Sequence, residues 1–155
     1  MKFCDIISMV DKNEMPDGSR FISIGLAKDV IVEYKNNKLV FEGFEFKENT
    51  LFEELAPMNI YDYENSDENL YSVICYSDHI YHSIKYKFKQ YGEFTRILSN
   101  DLKGTKFCLI EQSDKEIWIR EGDYLLVDED FNFSKCTEFG LRRNYRKVWN
   151  YVKKD

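Results

Sequence analysis

Closely spaced β-strand patterns in the last third of the chain constrain the fold most strongly. Four short runs rich in β-branched and aromatic residues follow one another there, and only a few polar residues separate them: 106–111, 116–120, 124–127 and 131–136. Connections this short join neighbouring antiparallel strands, because a parallel crossover needs about a dozen residues or more. The sequence therefore predicts a C-terminal β-meander.

A basic helix is expected to cap this meander, from Thr137 through Arg146. The Thr137 hydroxyl can accept a hydrogen bond from the first turn, and Glu138 follows it at the positive end of the helix dipole. Extension of the helix to Val152 stays open, because Gly140 interrupts the pattern.

The N-terminal half starts with the pattern of an amphipathic helix over residues 3–13, where Phe3, Ile6 and Val10 fall on one face. Met15-Pro16-Asp17-Gly18 ends that helix. Three strands are predicted next, over 20–24, 29–34 and 38–42, the last continuing toward Phe46. The two later strands flank Lys35-Asn36-Asn37, which favours a hairpin because Asn tolerates a left-handed backbone.

The middle of the chain has weaker patterns. A helical turn is expected at Leu51–Leu55, and the polar, acidic residues 59–69 are expected to form a surface loop. Residues 70–76 read as a strand. Residues 80–91 fit both a strand and a helix, and the alternation of apolar residues with lysines favours the strand; a short helix is then expected at 93–99.

Together these elements predict an α+β fold with an N-terminal helix, antiparallel strands and a C-terminal meander capped by a helix. We expect an N-terminal α+β region over 1–100 and a C-terminal module over 101–155, with one continuous domain as the alternative. At 155 residues and 43% hydrophobic composition the chain can bury a core without disulfides.

Neither a membrane-spanning run nor a signal-peptide pattern is visible, so a cytoplasmic protein is expected. Four cysteines and two histidines occur without a close cysteine pair, so we expect no metal site and no cofactor. Gly-x-Ser-x-Gly and glycine-rich phosphate loops are also missing from the sequence. These features favour a protein that is not an enzyme.

Charge is strongly segregated along the chain, although the net charge is only −6. No Lys or Arg occurs between Lys47 and Lys85, whereas the C-terminal helix is basic. Such blocks are either solvated faces or fields of opposite sign that steer a partner. The overall negative charge argues against non-specific DNA binding.

The C-terminal segment resembles a small module found in uncharacterised proteins of tailed phages and prophages of low-GC Gram-positive bacteria. The resemblance lies in the run from Glu116 to Val127, with Gly122-Asp123-Tyr124 at its centre, and in the later hairpin and helix. The N-terminal helix resembles that of other small phage proteins, but more weakly. The resemblance implies a mobile-element origin but transfers no site residue. Tyr124, Phe133, Phe139 and Tyr145 are expected to form the core of the module.

The leading hypothesis is a phage or mobile-element accessory protein that binds and inhibits a host protein. A bacterial antiviral defence component such as a CRISPR effector is the most plausible target, blocked at a nucleic-acid or activation surface. The candidate partner-binding residues combine carboxylates with tyrosines: Tyr61, Asp62, Tyr63, Glu64, Asp67 and Glu68.

Two alternatives remain. In the first, the protein sequesters a nucleotide signal through Arg142, Arg143 and Arg146 beside aromatic residues, since arginine and aromatic rings bind phosphates and bases. Lys147 and Trp149 lie near this group in the sequence. In the second, it is a phage structural or housekeeping protein. The high aromatic content is also compatible with a homo-oligomer.

Overall fold

A computed structural model of the protein describes residues 1–41 and 46–149. The α+β class is confirmed: the described residues contain an N-terminal helix, a C-terminal helix and antiparallel strands in three sheets. Contacts divide the chain into two compact units, Met1–Pro57 and Met58–Asp155. In the described ranges no helix is both long and apolar enough to cross a membrane.

The first unit packs helix α1 (Phe3–Asp11) with a four-stranded antiparallel sheet of order β3-β2-β1-β4. The four strands are β1 (Arg20–Ser23), β2 (Ile31–Lys35), β3 (Lys38–Val40) and β4 (Phe52–Glu54). Phe3 and Ile6 of the helix are buried in the same cluster as Val32 and Phe52 of the sheet. The amphipathic pattern therefore predicted this helix and its buried face.

Two local predictions in this unit have opposite outcomes. The hairpin at Asn36 and Asn37 is confirmed, and both residues have the left-handed backbone expected of asparagine, with φ of 53° and 62°. The helical turn at Leu51–Leu55 is wrong, because Phe52 and its neighbours form β4, which pairs with β1. Residues 42–45 of the predicted third strand and its continuation lie outside the described residues.

The second unit contains a five-stranded sheet of order β11-β10-β6-β5-β12 and a three-stranded sheet of order β7-β8-β9, both antiparallel. The strands of the larger sheet are β5 (Tyr61–Asn65), β6 (Leu70–Cys75), β10 (Tyr124–Asp128), β11 (Phe133–Cys136) and β12 (Tyr145–Lys147). The strands of the smaller sheet are β7 (Glu93–Leu98), β8 (Lys106–Gln112) and β9 (Lys115–Arg120). Helices α2 (Tyr81–Phe88) and α3 (Glu138–Asn144), with a short 3-10 helix at Asp78–Ile80, complete the unit.

Strand pairing crosses the predicted division between 1–100 and 101–155. β6 pairs with β10, and β7 pairs with β8 along six residue positions. The contacts therefore divide the chain after Pro57 and not after residue 100.

The four predicted strands after Lys106 form two hairpins, β8-β9 and β10-β11, which belong to different sheets. The change of sheet occurs at Gly122, whose φ of +88° favours glycine. The Gly122 N–H donates to the Tyr76 carbonyl at 3.1 Å, and the Tyr76 N–H donates to the Asp123 carbonyl at 2.8 Å. These two hydrogen bonds stabilise the turn between β9, which belongs to the three-stranded sheet, and β10, which pairs with β6 in the five-stranded sheet.

Two predictions around residue 90 are wrong. Residues 81–88 form α2 and not a strand, because Ile84 and Phe88 are buried at helical spacing while Lys85 and Lys87 are exposed. Residues 93–98 form β7 and not a helix, because they pair with β8 along their whole length.

Candidate functional site

Strand β5 brings the two predicted binding segments together. Its residues come from the acidic segment, and β12, which pairs with it, comes from the basic C-terminal segment. In this register Arg146 lies directly opposite Glu64, although 82 positions separate them in the sequence. The loop predicted for 59–69 is therefore wrong: it contains a strand, followed by a short turn into β6.

Aromatic packing explains why this segment is ordered. Tyr63, Tyr71 and Tyr145 pack against the buried cluster formed by Val73, Leu126 and Leu141. The rings of Tyr71 and Tyr145 meet edge to face, with centroids 5.4 Å apart. Tyr63 thus has the packing role that its sequence context did not reveal.

The C-terminal helix ends earlier than predicted. Thr137 does cap α3, because its hydroxyl oxygen accepts a hydrogen bond from the Gly140 N–H at 3.1 Å. Tyr145 then takes an extended backbone conformation and starts β12. Pairing with β5 thus replaces the last predicted helical turn. Residues 150–155, which include the rest of a helix extended to Val152, lie outside the described residues.

Two of the three predicted arginines are already paired with carboxylates. Arg146 forms an ion pair with Glu64, and this hydrogen bond raises the pKa of the Arg146 guanidinium. Arg142 is bonded to Glu138 at 2.7 Å. The three arginines therefore do not converge as a group of free cations, which a phosphate site would need.

Lys147 lies between two exposed aromatic rings. Its ammonium is 4.0 Å from the ring centroid of Tyr61 and 4.5 Å from that of Trp149. Tyr61 is 46% exposed and Trp149 is 71% exposed. Contacts of this kind are attractive because the ring face carries negative potential. They hold two large rings in place at the surface.

Helix α3 presents a second contact of the same type. The Arg143 guanidinium lies 5.9 Å from the ring centroid of Phe139, which is 71% exposed. The sequence placed Phe139 in the core of the module, and this is wrong; Phe133 is fully buried and Tyr145 half-buried. The spacing of Phe139 and Arg143, four residues apart on a helix, is the signal that could have identified the pair. We use the name edge surface for Tyr61, Phe139, Arg143, Lys147 and Trp149.

The predicted acidic residues occupy two positions. Asp62 and Glu64 are half-buried on β5, and the Asp62 carbonyl accepts a hydrogen bond from the Val148 N–H at 2.8 Å. Asp67 and Glu68 are exposed at the turn between β5 and β6, where the Asn65 side chain accepts the Asp67 N–H at 3.0 Å. The exposed carboxylates therefore lie at the end of the hairpin.

Within residues 1–41 and 46–149, no group of three or more His, Cys, Asp or Glu side chains is arranged to hold a metal ion. The four cysteines are free thiols.

Comparison with known proteins gives no family for this chain. No protein-family model, curated protein or solved structure matches it.

Proposed function

We propose that this protein binds another protein through the edge surface. The observation that carries the proposal is the Lys147 ammonium held between the exposed rings of Tyr61 and Trp149. A few hot-spot residues supply most of the binding energy at a protein interface, and tryptophan, tyrosine and arginine are enriched among them. Rings already held in position lose less conformational entropy when a partner covers them.

The charges around this surface favour a protein partner over a nucleic acid. Arg142 and Arg146 are neutralised by carboxylates of the same chain, so they offer little net charge to phosphate groups. Aromatic residues at the centre and polar residues at the rim are typical of protein interfaces. Asp67 and Glu68 would lie at the rim of the interface and attract a basic partner. This long-range attraction weakens as the salt concentration rises.

The resemblance to phage and prophage proteins supports a bacterial host protein as the partner. In this proposal the protein acts in the host cytoplasm as a stoichiometric inhibitor without enzymatic activity. The target would be a component of antiviral defence, such as a CRISPR effector. Bound protein would cover the nucleic-acid or activation surface of that target.

Affinity capture from a Gram-positive bacterial lysate, with quantitative mass spectrometry, tests the proposal. The informative variant combines Tyr61→Ala and Trp149→Ala. Both residues are exposed, so the fold should be retained, and circular dichroism checks this. Leu102→Ala is the matched control, since Leu102 is a fully exposed apolar residue in a different loop.

A host protein recovered in stoichiometric amount by the parent and the control should fall about tenfold or more with the double variant, the change expected on losing an interface hot spot. Equal recovery by all three proteins would refute the role of the edge surface.

A further inference from the structure

A cavity of about 470 Å³ opens beside the three-stranded sheet and shares no residue with the edge surface. Its walls come from β8, β9, the Gly122 turn and the end of β11. Pockets that bind small molecules have volumes of roughly 300–1,000 Å³, so this cavity can hold one.

An aromatic wall forms one side of the cavity. Trp118 is 39% exposed, on the opposite side of β9 from the buried Ile117 and Ile119. The Phe107 ring supports it edge to face, with centroids 5.9 Å apart and planes at 81°. This arrangement leaves indole surface available for a planar ligand, and nucleobases stack favourably on such a surface.

Two cations lie beside this wall. The Arg120 guanidinium makes no hydrogen bond or ion pair with any residue in the described ranges, although its backbone N–H donates to Asp123 at 3.2 Å. The Lys135 ammonium donates to the Trp118 carbonyl at 2.5 Å, which positions it and leaves two N–H groups. Asp123 is the one carboxylate of the lining, so the side chains there sum to one positive charge.

We propose that this cavity binds a nucleoside monophosphate. The base stacks on Trp118, and the phosphate bonds to Arg120 and Lys135, because a guanidinium fork and an ammonium both match phosphate oxygens. The Asp123 oxygen not bonded to Arg120 accepts a hydrogen bond from an amino or hydroxyl group of the ligand. Phosphate alone would leave the indole unused, and a neutral nucleoside would leave the two cations unpaired.

Tryptophan fluorescence gives a direct test. The chain has two tryptophans, so Trp149→Phe leaves Trp118 as the reporter. AMP, GMP, CMP and UMP are titrated in turn, with the four matching nucleosides and inorganic phosphate as partial ligands. At least one monophosphate should quench Trp118 saturably, and both its own nucleoside and inorganic phosphate should bind about tenfold or more weakly than that monophosphate.

Variants of two exposed arginines provide the control in this background. Arg120→Met should weaken the best monophosphate about tenfold or more, whereas Arg142→Met, whose guanidinium pairs with Glu138 outside the cavity, should stay within about twofold of the parent. Saturable quenching by none of the four monophosphates up to millimolar concentration would overturn the proposal. Equal affinity for the best monophosphate and its own nucleoside, or unchanged affinity in Arg120→Met, would also overturn it.

Discussion

The edge surface and the cavity beside Trp118 both combine cationic and aromatic side chains, but the cations have different neighbours in the two regions. At the edge surface the cations face aromatic rings, and the neighbouring Arg142 and Arg146 face carboxylates of the chain. In the cavity the Arg120 guanidinium forms no ion pair with any described residue, although the Asp123 carboxylate lines the same cavity. Cations that lie against exposed aromatic rings on an open surface suit a protein partner, whereas a guanidinium and an ammonium beside an indole in a cavity suit a small anion.

Helix α3 connects the two regions, so loosening it should affect both. Leu141 is buried against Val73 and Leu126 and attaches α3 to the sheet. Leu141→Ala should lower the free energy of unfolding by about 2–5 kcal/mol, the cost of such a cavity in a core. Urea denaturation measures this change. A loss below about 1 kcal/mol would show that Leu141 does not fix the helix.

Testing the edge-surface variant and the cavity variant in both assays, host-protein capture and nucleotide titration, shows whether the two regions act independently. Tyr61→Ala with Trp149→Ala should reduce capture of the host protein about tenfold and leave the affinity for the best monophosphate within about twofold. Arg120→Met should show the reverse. A parallel loss of both activities in either variant would mean that the regions form one site.

Removal of the exposed carboxylates should have a smaller, salt-dependent effect. Asp67→Asn with Glu68→Gln should weaken capture of the host protein a few-fold at low salt and flatten its salt dependence, because rim charges act mainly on association. Asp114→Asn is a suitable control on another turn. Unchanged recovery at low salt would remove these carboxylates from the interface.

The smallest expected effect is protection of one thiol. Cys136 lines the cavity, and burial, together with the nearby Asp123 carboxylate, raises the pKa of its thiol. The thiolate is the reactive form, so alkylation of Cys136 should speed up as the pH rises. A bound monophosphate should slow it a few-fold, while exposed Cys4 keeps its rate. Peptide mass spectrometry measures both rates; equal slowing at the two cysteines would contradict specific protection.

Local sequence patterns correctly predicted the elements that short-range interactions determine. The helix at Phe3–Asp11 and the hairpin at Asn36-Asn37 needed no distant partner to be recognised. Strand β5 could not be predicted in this way. Its polar residues have weak strand propensity, and the partner on its outer edge lies 82 positions away.

The same limit applies to the site. The sequence supplied both Glu64 and Arg146 as candidates, but as members of competing hypotheses, because only the β5-β12 pairing shows that they neutralise each other. Arg120 and Trp118 were not candidates, since their proximity to Lys135 depends on two hairpins in different sheets. Charge counted along the chain therefore overestimates the charge available to a partner.

Site-specific photo-crosslinking in a bacterial host tests the central claim most directly. A photo-reactive amino acid is placed at position 61, 149 or 102 in turn, and covalent adducts are identified by mass spectrometry. The account predicts that positions 61 and 149 capture the same host protein and that position 102 does not. Adducts from position 102 alone, or different proteins from positions 61 and 149, would contradict it.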